Sequence, residues 1–353
     1  MHSAAYIPSL DGWRAVAILI VLTSHLGLGH IVPGGLGVTI FFFLSGYLIT
    51  TLLIQEHERT GSISISNFYI RRALRLMPPL VITLVLIYGL TFLGLTLGSV
   101  SIAGFTAQLL YFANYYYLFF DAGNTTPAGT GIFWSLAVEE HFYLIFPFLF
   151  STLFRKPRYR TFSRVLLLTC ALTLAWRYML VDIWENSASR TYYATDTRID
   201  SIIFGCLLAL EKNPVLEPCA APSLRLKDYS IVAIAIAALA ATLLIRNPIF
   251  RETLRYTVQG ISLAPLFYYS IRFGKHWLFW ILNSKPMQKI GMYSYSIYLV
   301  HYIVIENMHT LKLPVALSLF TTAIIIGIYA FFIDRYIDTP CLRWRRKFRQ
   351  TTL

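Results

Sequence analysis

Leu36-Gly37-Val38-Thr39-Ile40-Phe41-Phe42-Phe43-Leu44-Ser45-Gly46-Tyr47-Leu48-Ile49-Thr50-Thr51-Leu52-Leu53-Ile54 runs without one charged side chain. Wound as a helix at 1.5 Å per residue it is about 29 Å long, the thickness of a bilayer's hydrocarbon core. Ten further apolar runs of spanning or slightly shorter length surround it, near 11–28, 79–98, 102–119, 134–154, 162–183, 197–211, 229–246, 256–273, 291–309 and 313–336. The composition agrees: of 353 residues 56% are apolar, 16% aromatic and only 13% charged, and the mean hydropathy is +0.59. A soluble chain cannot hide that much apolar surface. Soluble enzymes, disordered chains and secreted disulfide scaffolds are excluded, and an all-α, polytopic bundle of transmembrane helices is expected.

The net charge of +13 does not make this a nucleic-acid binder, because the Lys and Arg residues lie mostly in short loops between apolar runs. Cys170, Cys206, Cys219 and Cys341 are far apart, so neither a zinc site nor a disulfide framework is implied. No metal is expected. The N-terminus lacks a basic n-region and a small-residue cleavage site, so the first apolar segment is expected to stay.

If all eleven segments crossed, the basic stretches 55–78 and 155–164 would face opposite sides, against the cytoplasmic excess of Lys and Arg. The segment to drop is 102–119. It carries Gln108 and Asn114 and ends in Tyr115, Tyr116, Tyr117, Phe119 and Phe120, which suits a re-entrant or interfacial helix. About ten spans then remain, with both termini cytoplasmic. Segments 55–78, 155–164, 212–228, 272–289 and the tail 343–349 hold most of the 30 basic residues, and the outer loops hold Arg190, Arg246, Arg251, Arg255 and Lys312. No internal repeat is seen, so residues 1–353 read as one membrane-embedded domain with a basic cytoplasmic tail, 340–353, suited to anionic lipid headgroups.

Ionisable residues inside spans are costly and mark function or mutual pairing. Asp11, Arg14 and His25 share one face of the first span, with Arg14 near its cytoplasmic end and His25 near its outer end. The bland alternative is an Asp11 to Arg14 pair and a capped histidine. The segment Trp134-Ser135-Leu136-Ala137-Val138-Glu139-Glu140-His141 enters from outside, placing both glutamates within about two turns of that surface. Asp196, Arg198 and Asp200 open another span near Arg177 and Asp182, where mutual salt bridging is the competing reading. His301 lies mid-span. On the cytoplasmic side Arg71, Arg72 and Arg75 crowd one turn, an arrangement able to grip phosphates bidentately, or else a positive-inside anchor.

These residues resemble the acyltransferase-3 family of bacterial integral-membrane enzymes, which move acyl groups, most often acetyl, onto sugars of surface polysaccharides, lipopolysaccharide and some small molecules. The likeness covers nearly the whole chain. It rests on Leu10-Asp11-Gly12-Trp13-Arg14 through to His25, Gly35-Leu36-Gly37-Val38, Phe41 to Ile49, the Arg71, Arg72, Arg75, Pro78 cluster, Trp134-Ser135-Leu136 with Glu139 and Glu140, Thr197-Arg198-Ile199-Asp200, and Ser294-Tyr295-Ser296-Ile297-Tyr298-Leu299 before His301. Two departures, Thr39 where members often carry aspartate and His141 where they often carry glutamine, bear on substrate detail more than on chemistry. Some relatives carry a further periplasmic hydrolase-like domain, and a second catalytic step here is expected to need another protein.

The resemblance implies acetyl-CoA or another acyl-CoA as cytoplasmic donor, a carbohydrate or glycolipid acceptor, membrane lipids as surroundings, and residence in the bacterial inner membrane. Within it, His25 is the expected general base, Arg14 and Asp11 shape the donor channel, and Glu139 orients the histidine or binds sugar hydroxyls. Arg71, Arg72 and Arg75 hold the CoA phosphates, and Glu140, Arg198 and Asp200 contact substrate. The competing class is a lipid or glycolipid transporter or flippase using the same charges as a relay, against which stand the missing repeat and the one-sided arginines. A scaffold for glycan assembly leaves His25 unexplained. The topology has a direct test: single cysteines in 55–78 and 343–353 should label from the cytoplasm and those in 120–133 and 184–196 from outside. Cytoplasmic labelling of 120–133 means that 102–119 crosses.

Overall fold

The computed structural model describes residues 6–120, 125–154, 159–185, 187–217 and 223–348. Expectations placed on Arg155, Lys156, Arg158, Cys219 and Arg349 lie outside the described residues. Among the described residues the protein is all-helical, the sole antiparallel bridge joining Gly98 to Pro127. In chain order the helices are α1 (Pro8–Thr23), α2 (Gly34–Thr60), α3 (Ile65–Phe92), α4 (Ile102–Leu109), α5 (Ala113–Phe119), α6 (Trp134–Leu153), α7 (Tyr159–Tyr178) and α8 (Ala188–Tyr193). They continue as α9 (Thr195–Glu211), α10 (Leu226–Leu244), α11 (Pro248–Glu252), α12 (Leu254–Arg272), α13 (Lys285–His309), α14 (Val315–Ile333) and α15 (Thr339–Lys347).

Seven helical stretches are long and apolar enough to cross a bilayer: Pro8–Leu28, Gly34–Thr60, Ile65–Phe92, Thr130–Leu153, Tyr159–Ile183, Leu226–Leu244 and Val315–Arg345. Helices α9, α12 and α13 form where three more spans are expected but are charged, with Asp196, Arg198 and Asp200 on the first, Arg255 and Arg272 on the second, and Lys285, Lys289 and Glu306 on the third. The expected non-crossing segment 102–119 is broken into α4 and α5, eight and seven residues long. Each rises about 10–12 Å, too little to cross alone.

The chain forms two compact units. The first comprises Met1–Ile54, Thr152–Tyr192 and Asp196–Met292. Its centre is α9, buried from Thr197 to Ala209 apart from Ile199. Helices α2 and α9 touch backbone to backbone where Gly46 meets Gly205. A Cβ on Gly46 would fall 1.9 Å from the Ile202 carbonyl oxygen, and one on Gly205 would fall 1.9 Å from that of Phe43. Small residues at a crossing are what packing in an apolar solvent favours, since close approach replaces a hydrophobic driving force.

The second unit comprises Gln55–Ser151, Tyr193–Thr195 and Tyr293–Leu353. Here the expected loop 55–78 is corrected, because α2 runs to Thr60 and α3 starts at Ile65. Ser64 caps α3, its hydroxyl accepting from Asn67 N at 3.4 Å, and the Ser64 amide donates to Glu56 Oε1 at 3.0 Å. The arginines that read as a loop are the first turns of a helix.

Contacts along α3 set the level of its neighbours. Tyr295 Oη of α13 donates to the Leu76 carbonyl at 2.8 Å, and Leu97 N donates to Asn307 Oδ1 at 2.7 Å, so α13 runs alongside α3. Helix α6 runs against it, with Tyr69 Oη donating to the Leu144 carbonyl at 2.6 Å. Ser135 Oγ lies 2.6 Å from Tyr298 Oη, within a turn of Tyr295. Helix α6 therefore begins level with about Pro79, about thirteen residues or 20 Å short of the Phe92 end of α3. The expectation that Glu139 and Glu140 lie within two turns of a surface is corrected accordingly: the chain descends through buried, largely irregular backbone at Thr126, Thr130, Ile132 and Phe133 before α6 starts.

The glycine crossing yields a prediction. Gly46→Val forces side-chain atoms into backbone and should lower the melting temperature in detergent by several degrees, overpacking costing about 1–3 kcal/mol. Gly89→Ala in α3, where nothing lies within 4 Å, should hold or raise it. Equal melting temperatures would discard the close crossing.

Candidate active site

Helix α1 in the first unit starts with Pro8 at its first turn and carries buried Asp11 there, where a carboxylate suits the helix dipole. Arg14, three residues on, reaches it at 2.5 Å with its own side chain 19% exposed. The helix is clamped around this pair. The Trp13 indole stacks on Phe267 at 4.6 Å and donates to Ser270 Oγ at 2.8 Å, while Ser9 Oγ donates to the Ser270 carbonyl at 2.8 Å. Arg14 is thus aimed by a fixed backbone, one edge of its guanidinium committed and the rest partly open.

Regular helix stops at Thr23, and His25 lies in the wide π-helical turn Ser24–Leu28. Gly27, at φ 101°, supplies the left-handed backbone that ends it. Single π turns recur at functional sites. The 3.6-residue arithmetic that aligns Arg14 with His25 holds only as far as Thr23. His25 is partly exposed.

Arg198 and Asp200 sit deeper in the same unit, both fully buried. Asp200 Oδ2 accepts from Arg177 Nη2 at 2.7 Å, each side chain 0% exposed, and the same nitrogen donates to Thr257 Oγ1 at 2.7 Å. The pairing alternative therefore describes Asp200. Arg198 lies 4.1 Å over the Tyr256 ring, within 5.5 Å of those of Tyr192 and Phe42, and donates to Thr39 Oγ1 at 3.2 Å. Asp196 pairs with Arg190 at 2.5 Å and accepts from the Trp176 indole at 2.7 Å.

The second unit holds the remaining candidates, and here the arginine cluster diverges. Arg71 donates to Glu56 Oε2 and to the Phe348 carbonyl, both at 2.8 Å. Arg72, a hundred degrees further round α3, turns to α6, where its guanidinium lies 3.6 Å over the Tyr143 ring and 3.6 Å from Glu140. Arg75 acts on Asp338, as does Arg345 of α15. Glu139 accepts from Tyr143 Oη at 3.3 Å. His141 bonds Thr195 Oγ1 at 2.8 Å and stacks on Tyr115. His301 is fully buried, its Nδ1 2.8 Å from the Tyr298 carbonyl.

Sequence reading missed Glu56, Arg345, Tyr143 and Tyr111 as partners of these charges. Glu56 had a signal, being with Glu58 one of two acids at the head of a basic stretch. Among the described residues no three His, Cys, Asp or Glu side chains gather so as to hold a metal ion.

Residues 7–333 match the Acyltransferase domain family known as acyltransferase 3. The chain is 32% identical over 355 residues to O-acetyltransferase OatA of Staphylococcus aureus strain NCTC 8325 / PS 47, and equally so to OatA of strain COL, covering 96% of this chain and 58% of each relative. It thus spans about three-fifths of the length of these relatives. No solved structure matches it. On a match of this extent, the chain belongs to the acyltransferase-3 family.

Proposed function

We propose that this acyltransferase moves an acyl group, most simply acetyl, from cytoplasmic acyl-CoA to a sugar hydroxyl of a cell-surface glycan or glycolipid at the outer side of the bacterial inner membrane. The observation that carries the reading is α1. One apolar helix bears a clamped Asp11–Arg14 pair near its start and a partly exposed histidine on a widened turn at its end. Family membership and the O-acetyltransferase relatives support it. The topology that goes with it has ten spans, the seven apolar stretches joined by α9, α12 and α13, with both termini cytoplasmic and residues 1–353 acting as one membrane domain.

In this mechanism neutral His25 accepts the proton of the acceptor hydroxyl as its oxygen attacks the thioester carbonyl. The new C–O bond forms, the C–S bond breaks, and the departing CoA thiolate takes the proton from His25. Arg14, held by Asp11, favours anionic donor groups and the charge that develops on the carbonyl oxygen. Arg71 and Arg75 contact donor phosphates near α15, and Arg198 serves acceptor binding beneath Tyr192.

In proteoliposomes with acetyl-CoA on the cytoplasmic face and a glycan acceptor, the protein should release free CoA. His25→Ala should slow release about a hundredfold to ten-thousandfold at unchanged melting temperature. A transporter releases no CoA, and near wild-type activity in the variant removes His25 from the chemistry.

Arg75→Lys separates a phosphate contact from a topology anchor. An ammonium keeps the charge but loses the two-point fork, so the donor KM should rise several-fold with the acceptor KM unchanged. An unchanged donor KM leaves Arg75 as an anchor, since the positive-inside preference counts Lys and Arg alike.

A further inference from the structure

Three buried polar atoms in the second unit lack a hydrogen-bond partner where α3 faces α6 and the α4–α5 break: Arg72 Nε, Glu140 Oε1 and Tyr111 Oη. They are neighbours. The Arg72–Glu140 pair stands at 3.6 Å, beyond hydrogen-bond reach, and the Tyr111 phenol feels both charges from beside Tyr295, whose hydroxyl donates to the Leu76 carbonyl. An orphaned buried polar group is costly, so three in one place ask for a missing partner.

The backbone adds a second observation. Tyr111 holds φ at 56°, a left-handed conformation that a tyrosine adopts at a cost, in the break between Leu109 and Ala113. His141, on α6 beside Glu140, packs its ring within 6.3 Å of Phe112 in the same break. Strain of this kind persists where surrounding structure holds a side chain in place, and here the side chain held is the orphaned phenol.

The orphans are one donor, one acceptor and one hydroxyl able to be either. That set matches secondary amides, each of which offers one N–H and one C=O. Arg72 lies seven residues into α3, about 10 Å from its Ile65 end, between Arg71 and Arg75 along the axis but turned toward α6. We propose that Arg72, Glu140 and Tyr111 form a subsite that reads the amide groups of the pantetheine arm of the acyl donor, a reading that rests on the acyl-CoA donor proposed above. The donor's phosphates stay near Arg71 and Arg75 while its arm turns round α3 to the α6 side, where Arg72 faces Tyr143 and Glu140. Glu140, expected from sequence to contact substrate, then contacts the donor.

Equilibrium binding to the purified full-length protein in nanodiscs tests this, with two probes: CoA, which has the arm, and 3′-phosphoadenosine 5′-diphosphate, which has the phosphates without it. Tyr111→Phe and Glu140→Gln should each weaken CoA about three- to tenfold, the loss of one hydrogen bond, and leave the nucleotide unchanged. Tyr111→Phe keeps the ring and serves as the gentler arm should Glu140→Gln unfold, and its melting temperature should match wild type. Unchanged CoA binding, or equal weakening of both probes, overturns the subsite while leaving the acyl-CoA reading intact. Wild-type protein that binds neither probe overturns the acyl-CoA reading and the subsite with it.

Discussion

Hydrocarbon offers a charged side chain no water, so each charge carried into a span must find its partner inside the protein. The buried arrangement of this chain follows from that demand. Arg177 of α7, Asp200 of α9 and Thr257 of α12 meet at hydrogen-bond distance, the two charged side chains fully buried, which fixes the registers of three helices at one point. Removing one member of such a pair typically costs about 3–5 kcal/mol, because the other is stranded. In the second unit Arg72 and Glu140 do the same for α3 and α6 more loosely, at 3.6 Å. The tight pair reads as architecture and the loose one as a place kept open.

The apolar runs, and with them the helices, were legible because length and the absence of charge suffice to mark a span. Gln108 and Asn114 flagged 102–119, which is broken into two short helices. Both side chains are buried and tied to protein, Gln108 to Tyr117 and Thr130, Asn114 to Thr195, and the helix breaks between them. The start of α3 was not legible. Arg71, Arg72 and Arg75 look like a basic loop when only their charge is counted, and the acids that meet them lie on other elements, Glu56 on the preceding helix for Arg71, Glu140 on α6 for Arg72 and Asp338 for Arg75. The depth of α6 was hidden too, because Thr125 to Phe133 is as apolar as a helix start and only its contacts with Tyr298 and Ile303 reveal how far it descends.

Of the candidate site, the Asp11–Arg14 pair was legible from spacing, but the wide turn that presents His25 was not, since nothing in Ser24 to Leu28 except Gly27 announces it. One departure from the family pattern gains a physical meaning. Thr39, at a position where members often carry aspartate, receives Arg198 Nη2 at 3.2 Å. An aspartate there would place a carboxylate against that guanidinium. Threonine offers only a hydroxyl, and much of the remaining surroundings are the ring faces of Tyr256, Tyr192 and Phe42, which attract a cation without neutralising it. The field at Arg198 is therefore more positive than the commoner residue would leave it.

Irregular backbone inside a membrane protein survives only where protein or trapped water satisfies it. Before α6 the hydroxyls do so: Tyr298 Oη donates to the Ile132 carbonyl, Tyr117 Oη to that of Thr130, and Thr130 Oγ1 to that of Pro127. Each replaces a bond that a longer helix would have made for itself. The exchange moves the start of α6, with its partial positive charge, from the level of α3's end to the level of its middle. Glu139 and Glu140 then sit one to two turns inside a buried helix N-terminus, and Glu140 meets Arg72. Had the helix been wound to the level of Phe92, the same spacing from its start would have set both glutamates about 20 Å nearer that end, out of reach of any arginine on the first turns of α3.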